Sequence, residues 1–223
     1  MTPRIIRILI DAFPQMLTAA IKTSIPLTII AFSLAMIIAV AVALIQFADI
    51  PVAKQLCRFY IWIFRGTPLL VQLFTVYYGL PHIGILIEPF PAAVLVFSLN
   101  EGAYCAEVVR AGLEAVPIGQ LEAGYCVGMS YLQTMWRIIL PQAMRTAFPS
   151  LGNSLIAMVK DTSLASTITV TEMLQVTKVL NGRLTEPLAL YLEVGLIYLI
   201  FSTVLTWVQS WGEKRLSAYN ARG

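Results

Sequence analysis

Charge is what this sequence has least of. Asp, Glu, Lys and Arg make up 12% of its 223 residues, roughly half the ~25% usual in soluble domains. Hydrophobic residues make up 58% and mean hydropathy is +0.79, which excludes an ordinary soluble domain and makes the chain an integral membrane protein. Histidine is nearly absent: the single one, His82, lies next to Pro81 and close to Gly84, has no metal-ligating companions, and reads as a surface residue. It leaves no nucleophile-and-base arrangement, so no enzyme is expected. The three cysteines, Cys57, Cys105 and Cys126, form no CxxC or Cys/His cluster. They suggest neither a disulfide framework nor a metal site, and read as small apolar side chains. No G-x-x-x-x-G-K-[ST] phosphate loop occurs, so the chain does not bind ATP in the P-loop manner. The net charge of +3 comes without a basic patch and implies no nucleic-acid partner; basic residues at the cytoplasmic ends of membrane spans give the same bias. No cleavable signal peptide is expected either, because the apolar run after Arg4 and Arg7 is interrupted by Asp11 and Pro14.

What is present is a series of long apolar runs. Between Lys22 and Asp49 there is no charge, and "SIPLTIIAFSLAMIIAVAVALIQ" (24–46) has the roughly 20 residues a helix needs to cross the hydrocarbon core. Further spans are expected at 59–80, 89–110, 147–170 and 188–211. The second is broken early by Arg65, Gly66 and Pro68, which predicts a kinked or irregular start. The third carries Glu101 and Glu107, and the fourth carries Lys160 and Asp161. The fifth closes on tryptophans followed by Lys214 and Arg215, an interfacial anchor. The reading is an all-α integral membrane protein of about five spans, a single domain over 1–223. An odd number of spans puts the termini on opposite sides, and the distribution of Lys and Arg among the connecting segments favours N-terminus outside and C-terminus cytoplasmic, with Arg4 and Arg7 mildly opposed.

That orientation makes 111–146 a cytoplasmic loop between the third and fourth spans. Pro117 suits the first turn of a short helix running to Tyr125, and the Gly128 region ends it. Ser130 and Gln133 form an S-x-x-Q capping box that starts another helix. Leu132, Trp136, Ile139 and Leu140 give that second helix an apolar stripe, and Pro141 marks its end. Two short helices joined at a glycine are too small to fold alone and too ordered to be a tether, so they should dock; a helix pair resting on lipid headgroups is the alternative.

"LEAGYCVGMSYLQTMWRIILP" (121–141) resembles the cytoplasmic loop of bacterial ABC importer permeases, whose pattern is E-A-A, a later Gly, and then I-x-L-P. Glu122, Ala123, Gly128, Ile138, Leu140 and Pro141 match it, while Gly124 stands where the family has its second Ala. That change weakens a helix by about 1 kcal/mol. The resemblance covers nearly the whole chain. "FRGTPLLVQLFTVYYGLP" (64–81), "AYCAEVVRAGLEAVPIGQLEAG" (103–124) and "NSLIAMVKDTSLASTI" (153–168) are similar to permeases of the polar amino acid uptake group, most of all its L-cystine permeases. It implies that the loop couples to a separate ABC ATPase through Glu122, Ala123, Gly124, Gly128, Leu140 and Pro141. It also implies that ATP and Mg are held by that partner with no cofactor on this chain. The further partners implied are an extracytoplasmic amino-acid-binding protein and a second copy or a similar permease, in the bacterial cytoplasmic (inner) membrane.

The substrate path and gate are read from polar residues in apolar surroundings: Arg65, Thr67, Asn100, Glu101, Lys160, Asp161, Thr162 and Ser163. Intramembrane charge is a functional hypothesis by default, but each has a plainer reading. Lys160 and Asp161 also suit a structural ion pair, with Glu101 or Glu107 as partner. Arg65 also suits a snorkelling interfacial arginine. Asn100 and Glu101 also suit a helix–helix hydrogen bond. The alternative to an ATP-driven importer is a self-contained, ion-coupled amino acid carrier or channel.

Overall fold

The structure is a computed structural model that describes residues 3–48 and 50–220, with the side chains of 217–220 left aside. Among these residues all the regular structure is helical, with no strand. Helix α1 (Pro3–Ala19) and helix α2 (Ile25–Phe47) run together as one 45-residue helix, so the first span begins well before the expected residue 24. The α1 half earns this extension by burying Ile8, Ala12, Met16 and Ala19, one helical face, against Met173, Leu180, Leu190, Val194 and Ile197. In α2 the buried positions are Leu27, Ala31, Ala35, Ala39 and Ala43, a stripe of small residues at every fourth position that lets a neighbouring backbone come close. That neighbour is α5 (Pro89–Glu114), the central helix, which offers Ala92, Val96, Ala103 and Ala106 in return.

The expected second span is two helices. α3 (Pro51–Gly66) meets α4 (Leu69–Phe74, continued through single turns to Ile83) at a bend of 102°. Pro68 has no N–H and holds Thr67 extended (φ −121°, ψ 145°), and the freed carbonyls need donors where water is scarce. The side chain of Gln72 donates to the carbonyls of Phe64 and Thr67 (3.0 and 3.1 Å), the Thr67 hydroxyl donates to Ile63 (2.8 Å), and Asn100 Nδ2 donates to Phe64 (3.1 Å).

The loop contains α6 (Gly119–Cys126) and α7 (Tyr131–Thr134), the latter running through a wide turn, Met135–Ile139, into α8 (Leu140–Asp161). Pro141 therefore does not end a helix. The N–H of Leu140 donates to the carbonyl of Met135, five residues back, a single π turn that makes room for the proline ring that follows. The same device recurs twice: Ile25, before Pro26, donates to Ala20, and Leu80, before Pro81, donates to Thr75. The π turn also shifts the phase of the expected stripe. Ile139 and Leu140 are buried, whereas Leu132 and Trp136 are exposed.

α8 stops at Asp161, short of the expected 170; a 3-10 segment, Thr162–Ile168, follows and closes on Thr169 in the left-handed region (φ 65°). α9 (Met173–Leu184) was not expected, and α10 (Pro187–Asn220) completes the chain. α9 is held by Glu172, which is fully buried, accepts the Gln175 N–H at 2.6 Å and the Tyr198 hydroxyl at 2.8 Å, and so ties α9 to α10. Lys178 Nζ donates to Ser166 Oγ at 2.8 Å and fixes the 3-10 segment to α9. Among the described residues three helices are long and apolar enough to cross a membrane, Pro3–Phe47, Pro89–Glu114 and Pro187–Leu216, or four with the bent pair; α8 is not among them, its apolar stretches being diluted by polar residues.

Candidate functional site

The loop forms a helical hairpin. α6 ends in a glycine C-cap: Gly128 takes φ +79°, its N–H donates to Tyr125 and the Met129 N–H donates to Gly124 (both 3.0 Å), the paired bonds that a left-handed glycine permits. Two residues later Ser130 and Gln133 form the expected capping box, with Ser130 N–H on Gln133 Oε1 at 3.0 Å and Gln133 N–H on Ser130 Oγ at 3.4 Å. Glu122, Ala123, Gly128 and Pro141 are exposed, whereas Gly124 and Leu140 are buried. Gly124 is where the two helices touch: a Cβ added there would lie 2.5 Å from Thr134 Cγ2. The hairpin also exposes apolar side chains, among them Ile118 (68%), Val127 (75%), Leu132 (66%) and Trp136 (59%), so it presents an uncovered greasy face beside Glu122.

Behind the hairpin α8 is clamped to α5. Gly112 permits it, since a Cβ there would lie 2.6 Å from the Ala143 carbonyl oxygen. The 22 residues of α8 make a rod of about 33 Å, with Leu140 at the hairpin end and Asp161 at the other.

That far end walls a cavity of about 360 Å³. α8 contributes Ser154, Ala157 and Asp161, and α5 contributes Asn100, Glu101 and Tyr104. The α3–α4 bend supplies Thr67, Pro68 and Leu69, and Leu164 closes it. Among the described residues no Lys or Arg lines it. Its two carboxylates, Glu101 and Asp161, therefore face a polar space without a cation, an arrangement that favours a positively charged occupant. Glu101 Oε1 accepts the Cys105 thiol at 3.5 Å, and Asn100 Nδ2 is taken up by Phe64 and Gln72 Oε1 (3.1 Å each). Among the described residues no cluster of His, Cys, Asp or Glu is placed to hold a metal ion.

Of the residues read from sequence as path or gate, Thr67, Asn100, Glu101 and Asp161 converge here. Arg65 lies in an adjoining cavity of about 470 Å³ that shares Tyr104 and Ser154 with the first. Its guanidinium is 5.3 Å from the Tyr104 ring centroid and 3.8 Å from Glu107 Oε2, so it is tethered more than a snorkelling arginine would be. Lys160 is exposed and outside both cavities. Thr162 is buried with its hydroxyl on the Val159 carbonyl (2.7 Å), and Ser163 is half-buried and outside the lining. The ion pairs of Glu107 run to Arg65 and Arg110, so Glu107 is not the Lys160 partner that the sequence allowed. Tyr104 and Ser154 were missed. Each stands one or two turns from a residue that was found: Tyr104 four after Asn100, Ser154 seven before Asp161.

Matches to known proteins identify the family and the fold. Residues 35–218 match the family model for binding-protein-dependent transport system inner membrane components. The L-cystine transport system permease protein TcyB of Bacillus subtilis (strain 168) is 42% identical over 213 residues, 95% of this chain and 91% of that protein. The nopaline transport system permease protein NocM of Agrobacterium fabrum is 36% identical over 211 residues, 90% of this chain and 87% of that protein. A crystal structure of an amino acid ABC transporter with histidines contains a chain that superposes with a TM-score of 0.87 at 31% identity, covering 96% of this chain and all of that one. The inward-facing MetNI methionine ABC transporter shares the fold alone, with a TM-score of 0.72 at 15% identity.

Proposed function

The chain belongs to the binding-protein-dependent transport system inner membrane components, and from that premise we propose that it carries L-cystine across the cytoplasmic membrane as the permease subunit of an ATP-driven ABC importer. Amino-acid ABC importers are the setting of its relatives; L-cystine is the reading favoured by TcyB and by TcyL, a second B. subtilis cystine permease 36% identical over 221 residues. Cystine carries two ammonium groups, and the cavity offers Glu101 and Asp161 to receive them.

The observation that carries the mechanism is the α8 rod, which joins the hairpin at one end to the cavity wall at the other. The hairpin, with Glu122, Ala123 and the exposed Ile118, Val127, Leu132 and Trp136, docks on an ATPase subunit that binds ATP and Mg. When the ATPases close, α8 moves with the hairpin and displaces Ser154, Ala157 and Asp161 relative to α5. Arg65, stacked on the Tyr104 that both cavities share, serves in this reading as an inner gate. An extracytoplasmic binding protein delivers substrate, and a second permease supplies the other half of the path. In this reading the whole chain, 1–223, is one permease domain crossing five times, through α1–α2, the bent α3–α4, α5, α8 and α10, with α8 too polar to face lipid on its own but crossing where it packs on α5 and α10. Five crossings put the termini on opposite sides, and a hairpin docked on a cytoplasmic ATPase then means an outside N-terminus and a cytoplasmic C-terminus.

Affinity capture of the tagged chain from native membranes in mild detergent tests this. An ATPase should come with it, and the captured complex should take up labelled L-cystine in vesicles only with ATP inside. Uptake by the purified chain alone, driven by a proton or sodium gradient, would replace this reading with a self-contained carrier.

A further inference from the structure

The hairpin end of the bundle holds another polar cavity, of about 430 Å³, between the end of α2, α3 and the last turns of α5. Lys54, Arg58 and Trp62 fall at i, i+4 and i+8 on α3 and line one side of it. The opposite side carries acids, but these are matched: Arg110 meets Glu107 at 3.0 Å and Glu114 at 2.5 Å, and Arg65 adds a second contact to Glu107. Arg58 is exposed and has no hydrogen-bond or ion-pair partner among the described residues. Gln46, also in the lining, is only 8% exposed; its side-chain nitrogen faces the Glu107 carboxylate but makes no close hydrogen bond. A buried amide donor left unpaired is costly, and native structures seldom keep one without a ligand or water to meet it.

The cavity thus offers a cation without a partner among the described residues and a buried donor without a close hydrogen bond, both suited to an oxyanion. Beside it runs an apolar stripe on the same helix, Val52, Leu56, Phe59 and Trp62, all more than half exposed. Donors opening onto an apolar helix face match a molecule with an anionic head and hydrocarbon tails. In the orientation proposed above, on which this placement rests, the hairpin end of the bundle lies at the membrane–water boundary, a level that suits Trp62. We infer that this cavity binds one anionic phospholipid of the cytoplasmic leaflet. Its phosphate lies against Arg58 and the Gln46 amide, and its acyl chains lie along Leu56 and Phe59.

The test is retention of lipid by the full-length chain purified in mild detergent from membranes containing phosphatidylglycerol and phosphatidylethanolamine, quantified by mass spectrometry. It requires neither ATPase nor substrate, so its outcome is separate from that of the transport assay. Wild type should retain phosphatidylglycerol in preference to phosphatidylethanolamine. Arg58→Gln should lower that retention roughly fivefold, the factor that one basic residue contributes at an anionic surface, and Gln46→Leu should lower it as well. Arg183→Glu, an exposed cation on α9, should leave it unchanged. Equal loss in Arg58→Gln and Arg183→Glu, or no preference between the two lipids in wild type, would overturn the site. So would a photo-crosslinker at position 58 that captures a second copy of the chain instead of lipid.

Discussion

Single residues decide whether the cavity and the hairpin work, and the two places differ in kind. In the cavity the relevant quantity is charge. Glu101→Gln and Asp161→Asn keep shape and remove the anion, and a hydrogen bond to a charged group is worth about 1.5–3 kcal/mol. Each should raise the KM of ATP-driven L-cystine uptake about tenfold or more while ATPase recovery on capture stays normal; an unchanged KM in both would remove the carboxylates from the substrate path. In the hairpin the relevant quantity is space. Gly124→Ala would drive a methyl to 2.5 Å from Thr134 Cγ2 and 2.6 Å from its Oγ1, overpacking that costs about 1–3 kcal/mol. It should lower the amount of ATPase co-purified. Thr134→Ala removes both of those atoms and leaves Cβ at 3.1 Å, so the double variant should recover much of the loss, a coupling between neighbours that single substitutions hide. The sequence shows Gly124 as a departure from the family pattern; only the structure shows that Thr134 occupies the volume an alanine would need.

At the scale of elements, the sequence was most legible where one local rule acts alone. The uncharged run over 24–46, the Ser130–Gln133 cap and the break at Gly66–Pro68 each follow from composition or from the chemistry of one or two residues, and each has its counterpart in the structure. It was least legible where two rules meet. Pro141 reads as a stop, yet a π turn absorbs it, and the extra residue in that turn rotates Leu132 and Trp136 out of the face that Ile139 occupies. α9 lies between the spans expected at 147–170 and 188–211, where no element was expected; its tertiary bonds to Tyr198 and Ser166 are ones that no local pattern announces. In the cavity, Asn100, Glu101 and Asp161 were visible as polar residues in apolar runs, whereas Tyr104 and Ser154 needed knowledge of which faces of α5 and α8 meet. The α3–α4 bend yields a prediction at this scale. Gln72 supplies donors to two carbonyls freed by Pro68 and accepts from Asn100. Gln72→Leu leaves those groups unmet at about 1–3 kcal/mol for each that finds no water. It should lower the thermal midpoint of the purified chain in detergent by several degrees, whereas an unchanged midpoint would mean that water already satisfies the bend.

For the whole molecule the open geometric question is which side of the membrane the hairpin faces, and the chain carries its own reporter. Of its cysteines, Cys57 and Cys105 are buried and Cys126 is exposed, at the last residue of α6. A membrane-impermeant maleimide should therefore modify the native protein at a single position. If the hairpin is cytoplasmic, right-side-out vesicles should resist labelling and inside-out vesicles should label at Cys126. Detergent unfolding should then reveal the other two thiols in both preparations. Because Cys126 lies four residues from Glu122 and next to the exposed Val127, a docked ATPase should slow the reaction in inside-out vesicles, and stripping the ATPase should restore it. Rapid labelling of right-side-out vesicles would invert the orientation and place the hairpin where no ATP-driven subunit can reach it. Labelling that ignores the ATPase would keep the orientation but move the docking surface away from α6.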